Sequence, residues 1–227
     1  MSAIAAYRPL LLLACAALFI PLPAWAQFWG TKGSAIEKIA PLLGLKPGST
    51  VAEIGAGNGA VAIAAARKVG PAGHVYATEI DPRRLRQIRD AVSRAGLHNV
   101  TVVRSVPGDT RLPARCCDSA YMIGVYHHFT EPFQTDGSIF RALKPGGRLV
   151  VIDFRPALLL KPWTPKGIPT NRGGHGIPPR ILEHELTRSG FRIKHVYEHW
   201  GSSWFLSNYC VVFIKPVVPS QPPDDSA

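Results

Sequence analysis

From residue 34 to residue 215 the hydrophobic positions of the chain alternate between two patterns. Short runs rich in Val, Ile and Ala predict buried strands, whereas an apolar residue at every third or fourth position predicts an amphipathic helix. The predicted strands cover residues 50–54, 74–78, 100–104, 119–125, 148–154, 191–198 and 204–215. The predicted helices cover residues 34–43, 60–68, 82–95, 131–143 and 179–189. This alternation predicts an α/β domain whose sheet is largely parallel and carries helices on both faces.

Residues at the ends of these elements support the prediction. Ser34 and Glu37 form a capping box for the first helix, and Asp81 followed by Pro82 is typical of a helix start. A turn at 144–147 precedes the fifth strand, and the last two strands follow each other so closely that we expect an antiparallel pair.

The two ends of the chain differ from this central part. Residues 1–26 contain a single charge, an apolar run and a small-residue site at Ala24-Trp25-Ala26, which is typical of a secretory signal peptide. A retained membrane anchor is the alternative. Residues 216–227 are rich in Pro, Ser and Asp, and we expect a disordered tail. The domain would then cover residues 27–215.

The chain is basic, with 26 Lys and Arg residues against 15 Asp and Glu residues. Five arginines lie between apolar residues at helical spacing within residues 83–94 and no aromatic residue interleaves with them, so we expect a solvated helix face and no nucleic-acid partner. Association with a membrane surface is compatible with the charge. Cys116, Cys117 and Cys210 lack the spacing of a zinc site, and we expect no metal.

A glycine-rich segment, VAEIGAGNG at 51–59, joins the first strand to the next helix. Glycines in such a turn let a ligand approach the backbone closely, and the helix start offers amide donors. The spacing of Gly55, Gly57 and Gly59 also satisfies the dinucleotide fingerprint G-x-G-x-x-G/A, so the loop alone does not distinguish between nucleotide ligands.

Three acidic residues and a second turn indicate which class of nucleotide ligand the loop binds. Glu53 precedes the glycines, Glu79 ends the second strand, Asp109 follows the third strand, and residues 141–149 read RALKPGGRL. Together these features resemble the class I, Rossmann-like family of S-adenosylmethionine-dependent methyltransferases, in its small-molecule branch. The resemblance implies a three-layer αβα sandwich with a mostly parallel seven-stranded sheet and an antiparallel last strand. It also implies that the fourth and last strands are not neighbours, which predicts three free thiols.

The resemblance further implies the roles of individual residues. Glu53 would help to orient the methionine part of the cofactor, Glu79 would accept hydrogen bonds from the ribose hydroxyls, and Asp109 would accept one from the adenine amino group. The complete set of implied cofactor-binding residues is Glu53, Gly55, Ala56, Gly57, Asn58, Gly59, Glu79, Ile80, Asp109 and Val125.

The acceptor is expected at the end of the fourth strand, at Tyr126-His127-His128. His127 and His128 are candidate catalytic bases, because histidine titrates near neutral pH. Histidines without a catalytic role also occur here in related enzymes. Tyr126, Trp163 and His175 are the candidate pocket residues, and the last two belong to an irregular insert at 155–178 that is either a lid or a surface loop.

The sequence therefore predicts an enzyme that methylates a small-molecule or lipid acceptor of unidentified structure. The alternative is an exported or membrane-anchored module that binds an adenosyl ligand without methyl transfer. The N-terminal segment predicts a periplasmic location after cleavage, with inner-membrane anchoring as the alternative. The oligomeric state does not follow from the sequence.

Overall fold

The computed structural model describes residues 32–157, 162, 164, 166–201 and 207–217. The predicted signal peptide, Trp163 and residues 218–227 of the predicted tail lie outside the described residues. None of the helices in the described part of the chain is both long and apolar enough to cross a membrane.

Seven strands form one sheet. They are β1 (Thr50–Ile54), β2 (His74–Glu79), β3 (Val100–Arg104), β4 (Cys117–Ile123), β5 (Leu143–Phe154), β6 (Arg192–Tyr197) and β7 (Asn208–Ile214). Their order across the sheet is β3-β2-β1-β4-β5-β7-β6. The pairs from β3 to β5 are parallel, and β7 is antiparallel to both of its neighbours. The predicted mostly parallel sheet with an antiparallel last strand is confirmed.

In the described part of the chain five helices flank the sheet: α1 (Lys32–Leu43), α2 (Ala60–Val69), α3 (Pro82–Arg94), α4 (Pro132–Ala142) and α5 (Pro179–Arg188). One hydrophobic cluster joins α1, α2 and α3 to the sheet, and a second cluster joins α4 and α5 to it. Because the two clusters contain alternate residues of β1, such as Val51 and Ala52, they lie on opposite faces of the sheet. The three-layer sandwich is therefore confirmed.

Two predicted helix starts had different outcomes. Asp81 caps α3 as expected, because its carboxylate accepts a hydrogen bond from the Arg83 amide at 2.7 Å and Pro82 occupies the first turn. The capping box at Ser34 was wrong, since α1 begins two residues earlier, at Lys32, and Ser34 lies inside the helix.

The fourth and fifth strands also differ from their predicted bounds. The segment 144–147, predicted as a turn, belongs to β5, which begins at Leu143. Neighbouring backbone explains this, because the Gly146 amide donates to Lys215 O at 2.8 Å and the Lys215 amide donates to Gly147 O at 2.9 Å. β4 ends at Ile123 rather than Val125, because Gly124 adopts a φ of 63° and turns the chain.

β5 separates β4 from β7, as the strand order requires. Cys116 and Cys117 therefore lie apart from Cys210, and the prediction that these three cysteines are free thiols is confirmed. Within the described residues no group of His, Cys, Asp or Glu side chains is arranged to hold a metal ion.

Candidate active site

The glycine loop leaves β1 in a conformation that only glycine adopts without strain. Gly55, Gly57 and Gly59 have φ angles of 71°, 59° and 79°. A Cβ atom on Gly55 would lie 2.7 Å from Cγ1 of Val125, whereas one on Gly57 would meet nothing within 4 Å. The loop therefore packs against Val125 at Gly55 and borders open space at Gly57. The open space next to the backbone is a cradle in which a ligand could lie.

The loop leads into the N-terminus of α2. Gly59 is its N-cap and supplies no side-chain hydrogen bond, and the exposed Asn58 accepts one from the Ala60 amide at 3.3 Å. A helix N-terminus carries partial positive charge and unpaired amide donors, which favour a ligand with oxygen acceptors.

Glu79 connects this loop to β2. Its buried carboxylate accepts hydrogen bonds from the amides of Gly57 at 2.9 Å, Ile80 at 2.8 Å and Asp81 at 3.1 Å. The Arg84 guanidinium lies 3.9 Å from the same carboxylate. Glu79 thus sets the position of the loop relative to the strand, and its two carboxylate oxygens can accept further hydrogen bonds.

Glu53 lies one strand away, at the end of β1. It is buried and lies opposite Tyr121 of β4. Burial of Tyr121 and the negative charge of Glu53 raise the pKa of the Tyr121 hydroxyl well above its usual value. Negative charge is thus present at the carboxyl ends of both β1 and β2, where ligands bind in open α/β sheets.

Asp109 lies after β3, in a turn where its backbone pairs with that of Val106. It is exposed and accepts hydrogen bonds from the Arg111 amide at 2.9 Å and the Ser138 hydroxyl at 3.0 Å. The bond from the Arg111 amide is the main cause that holds the pKa of Asp109 below its usual value, so the carboxylate stays ionised. Ile80, next to Glu79, is 57% exposed and offers an apolar surface on the cofactor side.

Beyond Val125 the chain forms a short 3-10 turn, Tyr126–His128. His127 in this turn is buried and held by Asp153 at the end of β5. His127 Nδ1 lies 2.8 Å from Asp153 Oδ1, and the His127 amide donates to Asp153 Oδ2 at 3.1 Å. One carboxylate therefore fixes both the backbone and the ring of His127.

Three aromatic rings surround the ring of His127. The ring centroids of His128, Phe154 and His175 lie 4.1, 4.7 and 5.1 Å from its own. The His128 residue as a whole is exposed, but partial burial of its ring and the nearby His127 lower its pKa. The charge of Arg84, which contacts Glu79, also contributes to this shift. The histidine turn follows Val125, which faces Gly55, so the histidine cluster lies next to the glycine loop.

The structure places Tyr126 differently from the prediction. Its side chain is fully buried, and its hydroxyl donates to Asp136 Oδ2 at 2.8 Å. Burial is the main cause that raises the pKa of Asp136 to about 8. Tyr126 is thus a core residue beneath the acceptor end, and the prediction that it lines the pocket does not agree with this position.

A buried arginine fastens the insert to this turn. Arg172 donates to Phe129 O at 2.6 Å, to Tyr126 O at 3.2 Å and to the Glu185 carboxylate at 3.0 Å. Its guanidinium also lies 5.0 Å from the centre of the Tyr126 ring. These contacts hold the described end of the insert, which includes His175, against the histidine turn.

Sequence reasoning missed Asp153, Asp136 and Arg172. Asp153 left a signal, because it is the one charged residue in the apolar run 149–154 and therefore requires a buried partner. Arg172 left none, because it lies in an irregular Gly- and Pro-rich segment. Two surface hollows of about 390 and 400 Å³ lie elsewhere, between α3 and β3 and beside residues 43–49, and include none of the candidate site residues.

Comparison with known proteins identifies the cleft. Residues 51–147, from β1 to the start of β5, match the family model of the methyltransferase domain. This stretch is a methyltransferase domain, and the sheet described above has the class I methyltransferase fold. S-adenosylmethionine is the cofactor of such domains, and the methyltransferase cleft described above fits it. The open space at Gly57 would admit an adenosyl group, and the carboxylates of Glu79 and Asp109 would be its hydrogen-bond acceptors.

Two sequence relatives of the methyltransferase domain carry the same printed description, "ubiquinone/menaquinone biosynthesis C-methyltransferase UbiE". The protein of Vibrio cholerae is 31% identical over 117 residues, which are 51% of this chain and 45% of the relative. That of Bordetella parapertussis is 32% identical over 123 residues, which are 53% and 46%. The match thus spans less than half of each relative.

Solved structures share the fold over a longer stretch. A SAM-dependent methyltransferase from Aquifex aeolicus superposes with a TM-score of 0.65 at 25% identity, over 79% of this chain and 88% of that one. The [4+2]-cyclase SpnF superposes with a TM-score of 0.66 at 19% identity, over 82% of each chain. The second likeness shows the fold alone, and the name of that protein shows that the fold also serves other chemistry.

Proposed function

We propose that the protein transfers the methyl group of S-adenosylmethionine to a small-molecule or lipid acceptor bound beside the histidine turn. The contact between Gly55 of the cofactor loop and the Val125 side chain carries the proposal. Val125 lies two residues before His127, so the loop and the histidine turn are neighbours. Cofactor and acceptor would therefore lie side by side. Methyl transfer depends on such alignment and on exclusion of water.

Aromatic rings support a planar or apolar acceptor. Phe154, His128 and His175 surround His127, and aromatic faces bind flat rings well. The names of the two curated relatives are compatible with a quinone-like acceptor. Because the match spans less than half of those relatives, the acceptor of this chain is a separate proposal.

Label transfer would test the function. The full chain would be incubated with methyl-labelled S-adenosylmethionine and a panel of short-chain quinols, phenols, amines and phospholipid vesicles. We expect labelled product from one acceptor class, and no product from Glu79→Ala, whose cofactor loop loses its anchor. Binding of the cofactor product without transfer to any acceptor would contradict the proposal and support the second candidate, an adenosyl-ligand-binding module without methyl transfer.

We propose further that the chain is exported, and that no nucleic acid is involved. The composition of residues 1–26 supports export, with a periplasmic location after cleavage at Ala26. The arginines of α3 support the absence of a nucleic-acid partner, because Arg83 is 81% exposed and lies 3.8 Å from the carboxylate of Asp81, as in a solvated face. Membrane-surface association of this basic chain belongs to the same proposal.

Mass spectrometry of the N-terminus in soluble and membrane fractions would test the location. A mature chain that begins at Gln27 would support export and cleavage. An intact Met1 in the membrane fraction would contradict cleavage and support the inner-membrane anchor.

A further inference from the structure

His127 and Asp153 form a pair that is closed to solvent. The side chain of His127 is 2% exposed and that of Asp153 is 0% exposed. Burying two polar groups is costly unless they satisfy each other, and here the ring and the carboxylate are 2.8 Å apart. The pair does not lie among aliphatic core residues, because the rings of His128, Phe154 and His175 surround His127. Its position calls for a chemical explanation.

The hydrogen bonds of Asp153 determine which ring nitrogen of His127 carries the proton. Asp153 Oδ1 accepts from the Phe154 amide at 2.9 Å, and Oδ2 accepts from the His127 amide at 3.1 Å. Both oxygens thus act as acceptors, and the hydrogen bond between Oδ1 and His127 is completed when Nδ1 donates. The neutral imidazole then has its free electron pair on Nε2.

Nε2 of His127 has no hydrogen-bond partner within the described part of the chain, although it is buried. A buried acceptor left without a partner costs about 1 to 3 kcal/mol, so such an atom is retained where a ligand completes it. Nε2 lies on the side of the ring away from Asp153. This nitrogen therefore has a free electron pair next to the position proposed for the acceptor.

We propose, on the basis of the function proposed above, that His127 removes a proton from the acceptor and that Asp153 is its positioning residue. The acceptor class that requires this arrangement is a hydroxylated aromatic ring. Neutral amines and thioethers are already nucleophilic and need only alignment, whereas a phenol of pKa about 10 reacts well only as its anion. General base catalysis of this kind contributes roughly 100-fold or more.

The hydroxyl proton moves to Nε2 while the electron pair of the oxygen, directly or through the ring to a carbon, forms the new bond to the methyl carbon. The electrons of the carbon–sulfur bond remain on the sulfur. For transfer to carbon, the ring proton then moves to the oxygen and restores the phenol. One proton stays on His127, where the Asp153 carboxylate stabilises the imidazolium.

The charged groups around His127 come from four elements. Asp153 faces it from β5, His128 from the same turn and His175 from the insert, and Arg84 of α3 acts on His128. Asp153 is the one acidic side chain among these groups, and it contacts the His127 ring directly.

The protonation of His127 can be measured without turnover. Nitrogen NMR of the histidine-labelled wild-type protein at pH 8 would report which ring nitrogen carries the proton. We expect His127 as the neutral form protonated on Nδ1. A His127 protonated on Nε2, or on both nitrogens at this pH, would overturn the proposal.

Variants would test the catalytic part with a series of phenols of different acidity. For His127→Gln and Asp153→Asn we expect a fall in kcat of about 100-fold with weakly acidic phenols, and a much smaller fall with phenols already ionised at the assay pH. His195→Gln, on the exposed face of β6, is the matched control and should behave like wild type. An equal loss with every phenol would indicate a structural role and overturn the proposal.

Calorimetry with S-adenosylhomocysteine separates a defect in cofactor binding from a defect in the proposed role of His127. Unchanged affinity in His127→Gln would show that the cofactor cleft is intact, so that a loss of rate belongs to the acceptor site. Wild type that methylates amines but no phenol would overturn this inference and leave the proposed function standing. Wild type that methylates nothing would contradict the proposed function itself. If Asp153→Asn does not fold, the wild-type NMR measurement and His127→Gln decide the question.

Discussion

The cofactor side and the acceptor side of the sheet are built in different ways. On the cofactor side, backbone amides provide most of the contacts, and Glu79 binds two of them within two residues of itself. On the acceptor side, buried polar side chains connect distant segments, since Asp153 reaches His127 across 26 residues and Arg172 reaches Tyr126 across 46. The first region depends on glycine conformation and the second on paired charges.

The difference explains what each region tolerates. A loop whose glycines have positive φ angles is strained when a side chain is added, because only glycine adopts these angles freely. A set of buried polar side chains fails when one partner is removed, because the remaining groups stay buried without hydrogen bonds. Substitutions on the two sides should therefore separate cofactor affinity from stability.

The largest effect is expected from Arg172→Met on the acceptor side. It removes three hydrogen bonds and leaves Glu185 without its partner, which should cost about 3 kcal/mol of unfolding free energy or more. Arg83→Met, an 81% exposed control, should cost less than about 0.5 kcal/mol. Denaturant unfolding would measure both. Equal stability of the two variants would contradict the role given to Arg172.

Gly55→Ala should have the next largest effect, on cofactor affinity. The added Cβ would lie 2.7 Å from Val125 at a φ of 71°, and the combined strain of about 2 kcal/mol corresponds to a roughly thirtyfold weaker binding of S-adenosylhomocysteine. Gly96→Ala has a similar φ of 63° with nothing within 4 Å, so it controls for backbone strain alone. Equal affinity in both variants would show that the contact with Val125 is unimportant.

Asp136→Asn should change the pH dependence of stability. Burial raises the pKa of Asp136 from 3.8 to about 8 in the folded protein. As the pH rises, the carboxyl group loses its proton in the unfolded chain before it does so in the folded protein. The stability that Asp136 contributes is therefore complete below pH 4 and is lost as the pH rises to about 8. The loss is at most about 1.4 kcal/mol per pH unit. Unfolding between pH 5 and pH 8 should therefore show a flatter slope in Asp136→Asn. The exposed Asp90→Asn is the control, and parallel slopes for wild type and Asp136→Asn would contradict the assignment.

The smallest effect is expected from Asp109→Ala on the cofactor side. Asp109 is exposed, so water competes for its hydrogen bonds and affinity for S-adenosylhomocysteine should fall only about fivefold, or about 1 kcal/mol. A loss as large as that of Gly55→Ala would mean that Asp109 organises the cleft as well as contacting the ligand.

The same contrast determines how much the sequence predicts. The alternation of strands and helices and the cap at Asp81 follow from local patterns, because each depends on residues within one or two elements. The strand order and the role of Glu79 were implied by the family resemblance. Asp153 and Arg172 pair across 26 and 46 residues, and Asp136 pairs across 10. Asp153 shows as a charge in an apolar run, but no local pattern identifies the partner of any of the three. The start of β5 was also beyond local reasoning, since Gly146 and Gly147 look like a turn until Lys215 pairs with both.

Calorimetry of S-adenosylhomocysteine binding to wild type and Glu79→Ala tests the central claim most directly. The claim is that the cleft formed by the glycine loop and Glu79 holds the adenosyl cofactor. Wild type should bind one equivalent, and loss of the charge-assisted bonds should weaken binding by about 1.5 to 3 kcal/mol, at least tenfold. Glu37→Ala, a 63% exposed residue of α1, should bind like wild type. Absence of binding in wild type, or equal affinity in Glu79→Ala, would contradict the account.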